Sequence, residues 1–210
     1  MTEHIMKKVR KIGIMGGTFD PIHIGHLILG EAAYEQFGLD EVWFMPAGNP
    51  PHKRNRIGRA SDEQRVEMVR RAISSNPHFV LSLEEMNEDG YSYTYRTLER
   101  LNAQYTQSEF YFIIGADSLF DFDTWREPQR IADACKIVVA TRNQISPEVF
   151  ESVLNQRREQ FHGSFLKLDT PNLDISSQTI RSWIKEHQTV RYYLPESVRN
   201  YIIDQRIYED

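Results

Sequence analysis

The sequence predicts an α/β fold with a doubly wound, Rossmann-like parallel sheet. Two observations support this prediction. Short runs rich in β-branched and aromatic residues alternate with longer runs of helical periodicity, which is the order expected of βαβ units. The short runs are also apolar throughout, as in strands that helices cover on both faces. The predicted strands are 9–15, 41–46, 79–83, 109–114, 136–140 and 164–168.

Helical patterns fill most of the segments between and after these strands. The second begins at Ser61, and Gln64 three residues later completes a capping box. The last begins at Pro195, a residue suited to a first helical turn. No repeat, low-complexity tract or linker divides the chain, so we expect one domain, 1–210, in which roughly 176–210 form a C-terminal helical part. The predicted helices are 26–37, 61–75, 94–105, 147–160, 177–187 and 195–203.

Composition narrows the functional class. The 210 residues are 40% hydrophobic and 26% charged, with a net charge of -5, so we expect no general electrostatic binding of nucleic acid. No stretch approaches the length of a membrane span, and the N-terminal apolar run is too short for a signal peptide. The single cysteine, Cys135, precedes an apolar run and is expected to pack as a small apolar residue. We therefore expect a cytoplasmic protein with no membrane partner.

The segment GGTFDPIHIGH, directly after the first predicted strand, carries the strongest functional signal. Gly16 and Gly17 would let a ligand approach the backbone. The next helix is predicted to start near Gly25, and its free N–H groups and dipole favour an anion. His23 and His26 flank that start, and ligands of doubly wound sheets lie beyond the carboxyl ends of the strands. The pattern therefore predicts a phosphate site with two imidazole donors.

Other sites fit this segment less well. The dinucleotide fingerprint G-x-G-x-x-G is absent, and no G-K-[ST] follows as in a Walker A loop. A pair of histidines can bind zinc, but zinc needs further ligands, and neither a cysteine pair nor an H-E-x-x-H motif supplies them. We predict no metal ligands in the chain.

The segment resembles the signature of nucleotidyltransferases that share the H-x-G-H motif with class I aminoacyl-tRNA synthetases. A synthetase also needs a K-M-S-K-S loop and usually a large anticodon-binding region, and the chain has neither. Instead, ISSQTIR at 175–181 resembles the I-S-S-T-x-I-R motif of small adenylyltransferases. The family that the chain resembles over nearly its whole length is bacterial nicotinate-nucleotide adenylyltransferase. The segments that extend this resemblance are PPHK at 50–53, SYT at 92–94, FIIGAD at 112–117 and the tryptophan at 125.

The chain departs from the family pattern in three places. Arg96 stands where the family often has aspartate, and Gln178 interrupts the second motif. Residues 1–8 extend beyond the usual start of the family, so we expect an N-terminal extension there.

The resemblance implies an enzyme that transfers AMP from ATP to nicotinic acid mononucleotide, giving deamido-NAD and pyrophosphate in NAD biosynthesis. It implies Mg²⁺ as a cofactor that arrives with ATP, and it leaves a homodimer open. It also implies a role for each matching residue. The catalytic residues would be His23 and His26; the ATP-binding residues Gly16, Gly17, Thr18, His23, His26, Gly115, Asp117, Ser176, Ser177, Thr179 and Arg181; and the mononucleotide-binding residues Lys53, Tyr93, Thr94 and Trp125.

Several of these residues have a structural alternative. The serines could only cap a helix, Arg181 could lie on a solvated helix face, Asp117 could be an N-cap and Trp125 could belong to the core. Two rival functions also stay open: a related transferase acting on phosphopantetheine or on glycerol phosphate with CTP, and a nucleotide-binding regulator without catalysis. A solvated loop is the expected setting of Arg54, Arg56 and Arg59.

Overall fold

The protein, described here by a computed structural model that covers residues 8–48, 58–86, 92–141, 145–171 and 173–209, is built on a parallel six-stranded sheet. All strand pairs are parallel, in the order β3-β2-β1-β4-β5-β6. The strands are β1 (Arg10–Gly17), β2 (Glu41–Pro46), β3 (Phe79–Leu81), β4 (Ser108–Gly115), β5 (Lys136–Ala140) and β6 (Phe165–Leu168).

Helices follow most of the strands, and a 3-10 turn at Phe122–Thr124 lies between two of them. Within the described ranges, none of the helices is long and apolar enough to cross a membrane. The helices are α1 (Ile24–Phe37), α2 (Asp62–Ile73), α3 (Thr94–Gln104), α4 (Ala116–Phe120), α5 (Pro128–Ala134), α6 (Pro147–Phe161), α7 (Ser177–Lys185) and α8 (Glu196–Asp204).

The sheet is covered on both faces, which confirms the predicted doubly wound fold. Along β1, Ile14 packs in one apolar cluster and Met15 in the other, because successive side chains of a strand point to opposite faces. One cluster contains residues of α1, α2, α7 and α8, and the other contains residues of α3, α4, α5 and α6.

Two local predictions were wrong. Gly16 and Gly17 do not follow the first strand but end it, paired with Met45 and Pro46 of β2. The backbone of a glycine can complete a parallel ladder as well as that of any other residue. Two helices, α4 and α5, were also missed. They have 5 and 7 residues, too few for a helical period to stand out in the sequence.

Two predicted helix starts are confirmed. Gln64 N donates to Ser61 Oγ at 3.2 Å and Ser61 N to Gln64 Oε1 at 2.8 Å, which is the expected capping box. The other is confirmed to within one residue, because Pro195, predicted to lie in the first turn, is the N-cap of α8 and the helix begins at Glu196. Cys135 also behaves as expected, because burial raises the pKa of its thiol to about 12 and the group stays protonated.

The strand order fixes where a ligand can enter. The connection after β1 leads to β2 on one side, whereas β4 pairs with β1 on the other. The chain therefore leaves a crevice beyond the carboxyl ends of β1 and β4, the usual ligand position in this architecture.

Candidate active site

A cleft with a volume of about 220 Å³ lies at this crevice. Its walls come from the ends of β1, β4 and β5, the first turns of α1, one residue of α4, Trp125 and the segment after β6. The cleft therefore joins the GGTFDPIHIGH segment to parts of the chain more than a hundred residues away. Its lining residues are Met15, Gly16, His23, Gly25, His26, Leu29, Phe112, Ile113, Ile114, Gly115, Ser118, Trp125, Ala140, Thr141, Thr170, Pro171, Leu173 and Ile175.

The two histidines of the motif form a stacked pair at the start of α1. His23 is the N-cap residue, and its backbone N–H donates to His26 Nδ1 at 3.2 Å. The ring centroids lie 3.7 Å apart. Because Nδ1 of His26 accepts this hydrogen bond, the proton of its neutral ring is on Nε2. The fold thus selects the Nε2–H tautomer of a histidine that lines the cleft.

Gly25 is required by the packing of this pair. A Cβ atom at Gly25 would lie 3.0 Å from His23 Nδ1 and 3.1 Å from His23 Cε1, closer than ordinary side-chain contacts. The absence of a side chain therefore lets the His23 ring lie over the helix start. In the sequence, Gly25 indicated only where that helix starts.

We expect Gly25→Ala to lower kcat at least about tenfold, because a displacement of about 1 Å at reacting groups can cost 10²-fold. The melting temperature should change little, since alanine favours a helix. Steady-state kinetics and thermal denaturation would measure both effects. Glu35→Ala, which replaces an exposed residue of the same helix, is the control and should leave kcat unchanged. A normal kcat in Gly25→Ala would show that the ring position does not matter.

Gly16 and Gly115 are explained by the cleft rather than by the fold. A Cβ at Gly16 would come no nearer than 3.4 Å to another group, and one at Gly115 would meet nothing within 4 Å. Neither residue has a positive φ. Both line the cleft, so the missing side chains leave room for a ligand against the strand ends. Gly17 differs, because a Cβ there would lie 3.2 Å from the Phe19 ring.

The loop between β1 and α1 is held by two side chains of α7. Arg181 Nη1 donates to the carbonyl oxygen of Asp20 at 2.5 Å, and Ser177 Oγ donates to that of Pro21 at 2.8 Å. Neither donor lines the cleft. Arg181 is half-buried, so the alternative of a solvated helix face is wrong. Direct contact of these two residues with ATP stays a prediction.

Ser176 caps the start of α7. Ser176 Oγ accepts a hydrogen bond from Thr179 N at 3.0 Å and lies 2.8 Å from Thr179 Oγ1. A capped start and a phosphate site are compatible, because further N–H groups of the first turn stay directed outward. Ile175, just before the cap, lines the cleft.

The residues predicted for the mononucleotide are only partly brought together. Trp125 lines the cleft and packs edge-on against Phe112, with ring centroids 6.2 Å apart, so it is neither a core residue nor fully exposed. Tyr93 is the N-cap of α3 and Thr94 its first residue, and neither lines the cleft. Lys53 lies outside the described residues, as does the rest of PPHK with Arg54 and Arg56.

A partly buried carboxyl group, that of Glu85, lies at the start of α3. Glu85 accepts a hydrogen bond from Thr97 Oγ1 in the first turn of α3 at 3.0 Å, and burial raises the pKa of its carboxyl group.

Asp117 is exposed in the first turn of α4, whose N-cap is Gly115. The alternative that Asp117 is an N-cap is therefore wrong.

Arg65 is a site-supporting residue that the sequence analysis missed. It is only 4% exposed, and its guanidinium donates to the carbonyl oxygens of Thr18 and Ala47 at 2.7 and 2.8 Å. It thereby joins the segments that follow β1 and β2. Its spacing from Met68 and Val69 on the buried face of α2 was the signal available in the sequence.

We expect Arg65→Met to lower the free energy of unfolding by about 3 kcal/mol, because it removes the guanidinium that donates to two carbonyl oxygens and to the Asp62 carboxylate. Urea denaturation would measure the loss. Arg70→Met, which removes an exposed arginine from the same helix, is the matched control and should cost less than about 1 kcal/mol. Equal losses in the two variants would contradict the assigned role.

Two further polar side chains were not predicted from the sequence. Arg157, 5% exposed, donates to the carbonyl oxygens of Leu119 and Phe120 at 3.3 and 2.8 Å, just before the turn that carries Trp125. Thr170 lines the cleft, and its buried Oγ1 has no hydrogen-bond partner within the described ranges.

Comparison with known proteins finds similar sequences and a similar fold. A sequence profile of the cytidylyltransferase-like family matches residues 14–182. A probable nicotinate-nucleotide adenylyltransferase of Lachnoclostridium phytofermentans is 41% identical over 95% of this chain and 100% of its own. One of Desulfitobacterium hafniense is 44% identical over 95% and 96%. Nicotinic acid mononucleotide adenylyltransferase of Plasmodium falciparum, complexed with NaAD, superposes with a TM-score of 0.79 at 22% identity, over 95% of this chain and 98% of that one. This last likeness shows the fold.

Proposed function

The chain belongs to the cytidylyltransferase-like family and, within it, to the nicotinate-nucleotide adenylyltransferases, and on that basis we propose how its cleft works. The enzyme transfers AMP from ATP to nicotinic acid mononucleotide, giving deamido-NAD and pyrophosphate in NAD biosynthesis. One structural observation carries the assignment of the site. The stacked pair of His23 and His26 lies at a helix start, in a cleft that Gly16 and Gly115 leave open.

The chemistry requires positioning more than proton transfer. The attacking group is a phosphate oxygen of the mononucleotide, which is an anion at neutral pH, so no strong general base is needed. The difficulty is to bring two anions together and to stabilise the charge that develops at the α-phosphorus and on the leaving pyrophosphate. His26 Nε2–H, fixed by the His23 backbone, is the donor that we assign to this charge.

ATP is proposed to lie along the cleft with its triphosphate towards the two histidines. Gly16, Gly17 and Thr18 supply backbone close to the phosphates, and Gly115 and Asp117 border the nucleoside at the end of β4. The start of α7 provides a second set of N–H donors for phosphate. The residues proposed to act at that helix start are Ser176, Ser177, Thr179 and Arg181. Two of them, Ser177 and Arg181, also hold the loop between β1 and α1, which we call the catalytic loop.

The mononucleotide is proposed to bind on the other side of the histidines. The ring of Trp125, which lines the cleft, offers a stacking surface for the pyridine. Tyr93 and Thr94, at the start of α3, are proposed to bind the pyridine carboxylate. Lys53 is proposed to pair with the phosphate of the mononucleotide.

A divalent cation would accompany the triphosphate, as is general for ATP-dependent phosphoryl chemistry, and we propose Mg²⁺. Among the described residues, no three histidine, cysteine, aspartate or glutamate side chains form a group that could hold a metal. We propose a cation bound mainly by phosphate oxygens. The cation would neutralise part of the triphosphate charge, and the orientation of the two substrates falls to the chain.

We also propose one catalytic domain over 1–210, acting in the cytoplasm on these two small nucleotides without nucleic acid. The net charge of -5 and the single cysteine, which cannot form an internal disulfide, support this setting. Gel filtration with light scattering would test whether the protein forms a homodimer.

The function is tested by incubating the protein with ATP and a set of acceptors and measuring pyrophosphate release. Nicotinic acid mononucleotide should support release, whereas phosphopantetheine should not, nor should glycerol phosphate supplied with CTP. Release with either alternative acceptor in place of the mononucleotide would identify a related transferase. Nucleotide binding without any release would identify a regulator.

A further inference from the structure

Asp20 is a buried acidic residue in the loop that carries the catalytic histidines, and the mechanism above does not use its side chain. The residue is 2% exposed and lies three positions before His23. Its Oδ1 accepts hydrogen bonds from Tyr208 Oη at 2.6 Å and from Ala60 N at 3.1 Å. The carboxyl group therefore links the loop after β1, the start of α2 and the C-terminal segment.

The other carboxyl oxygen faces two cations without bonding to either. Asp20 Oδ2 is buried, accepts no hydrogen bond within the described part of the chain, and lies 3.8 Å from Nη1 of both Arg59 and Arg181. The same Nη1 of Arg181 donates to the main-chain oxygen of Asp20.

Tyr208 is built into the protein core although it lies close to the C-terminus. It is 7% exposed and packs with the apolar cluster of α1, α2, α7 and α8. Burial and the nearby charge of Asp20 raise the pKa of the Tyr208 phenol, so its hydroxyl stays protonated and remains a donor at any physiological pH. The bond to Asp20 thus joins residues 188 positions apart.

We propose that Tyr208 is a positioning residue for catalysis, which acts through Asp20 on the loop that carries His23 and on the guanidinium of Arg181. The inference rests on the proposed function of the cleft. Without the hydroxyl, the buried carboxyl group loses its shortest hydrogen bond. Its nearest replacement donors are Arg59 and Arg181, each 3.8 Å from Oδ2. Closing either gap would move the catalytic loop or draw Arg181 towards Asp20, and small displacements at a reacting centre are costly.

The test compares Tyr208→Phe with Tyr111→Phe. Tyr111 is the matched control because it is also a buried tyrosine whose hydroxyl bonds a carboxylate, Glu109 Oε2 at 2.9 Å, but it lies outside the cleft. We expect Tyr208→Phe to lower kcat about tenfold, with the KM for the mononucleotide within about twofold of the original value. Tyr111→Phe should keep kcat. Assays well below the melting temperature of each variant ensure that both are folded.

The double variant Tyr208→Phe/Asp20→Asn tests the path of the effect. If Tyr208 acts through Asp20, the double variant should have about the kcat of Asp20→Asn alone; losses that multiply would contradict the proposal. Hydrogen exchange adds a measurement that does not depend on activity. Amides of residues 18–24 should exchange faster in Tyr208→Phe than in Tyr111→Phe.

The outcomes separate this inference from the proposed function. If the unmodified protein makes no deamido-NAD, the proposed function fails. If that protein is active and Tyr208→Phe retains its kcat and its exchange rates at 18–24, only the role of Tyr208 fails.

Discussion

Replacing His26 by alanine should reduce kcat about 10²–10³-fold, the usual cost of losing one preorganised donor to a developing oxyanion. The structure supports this magnitude because the backbone of His23 fixes Nδ1 of His26 as an acceptor and so makes Nε2–H the donor in the cleft. The variant also loses the hydrogen bond between the two residues, which should cost about 1 kcal/mol of stability. Turnover and urea denaturation measure the two effects separately.

His78→Ala is the matched control for this variant. The His78 ring also stacks on an aromatic ring, that of Tyr34 at a centroid distance of 3.6 Å, and its Nε2 lies 3.1 Å from Glu31 Oε2, but it does not line the cleft. It should keep kcat even if it lowers stability. A His26→Ala enzyme with near-normal turnover would remove the histidine pair from the catalytic account.

Nicotinic acid mononucleotide should be preferred over its amide by at least about a hundredfold in kcat/KM, or ~2.7 kcal/mol. The reason lies at the start of α3, whose first turn contains no acidic residue. Such a helix start offers N–H donors and a positive dipole end to a carboxylate, whereas an amide would direct its own donors at them.

The charge of Arg96 should reinforce this preference. Its guanidinium carbon lies 5.4 Å from the centre of the Tyr93 ring, in the first turn of α3, so the unusual arginine makes the local field more positive. Rates with the two mononucleotides at saturating ATP measure the ratio. Comparable kcat/KM values would mean a dual-specificity enzyme and would contradict the proposed carboxylate site.

Local patterns in the sequence were enough to predict the architecture. Six apolar runs became six parallel strands, and β2 and β5 have the predicted bounds. The histidine pair could also be placed, because H-x-G-H puts both rings on the first turn of one helix. Local sequence carries these features, since a strand, a cap or a helix turn is determined by residues that are close in the chain.

The supports of the site depend on contacts between distant residues, and the sequence alone did not reveal them. Arg65 reaches two loops from α2, and Tyr208 reaches Asp20 from the other end of the chain. A single sequence does not indicate which buried polar groups will meet, because their partners are set by the packing of helices on the sheet. Ser177 and Arg181 show the same limit, since the motif predicted phosphate contacts and the structure adds bonds to the catalytic loop.

The central claim, that this cleft joins AMP to the mononucleotide by attack at the α-phosphorus, is tested most directly with ATP labelled at that phosphorus. The account predicts that the label appears in deamido-NAD, in a one-to-one ratio with unlabelled pyrophosphate, and that His26→Ala suppresses both products equally. Label recovered in pyrophosphate, in free AMP, or in a product formed without the mononucleotide would contradict it.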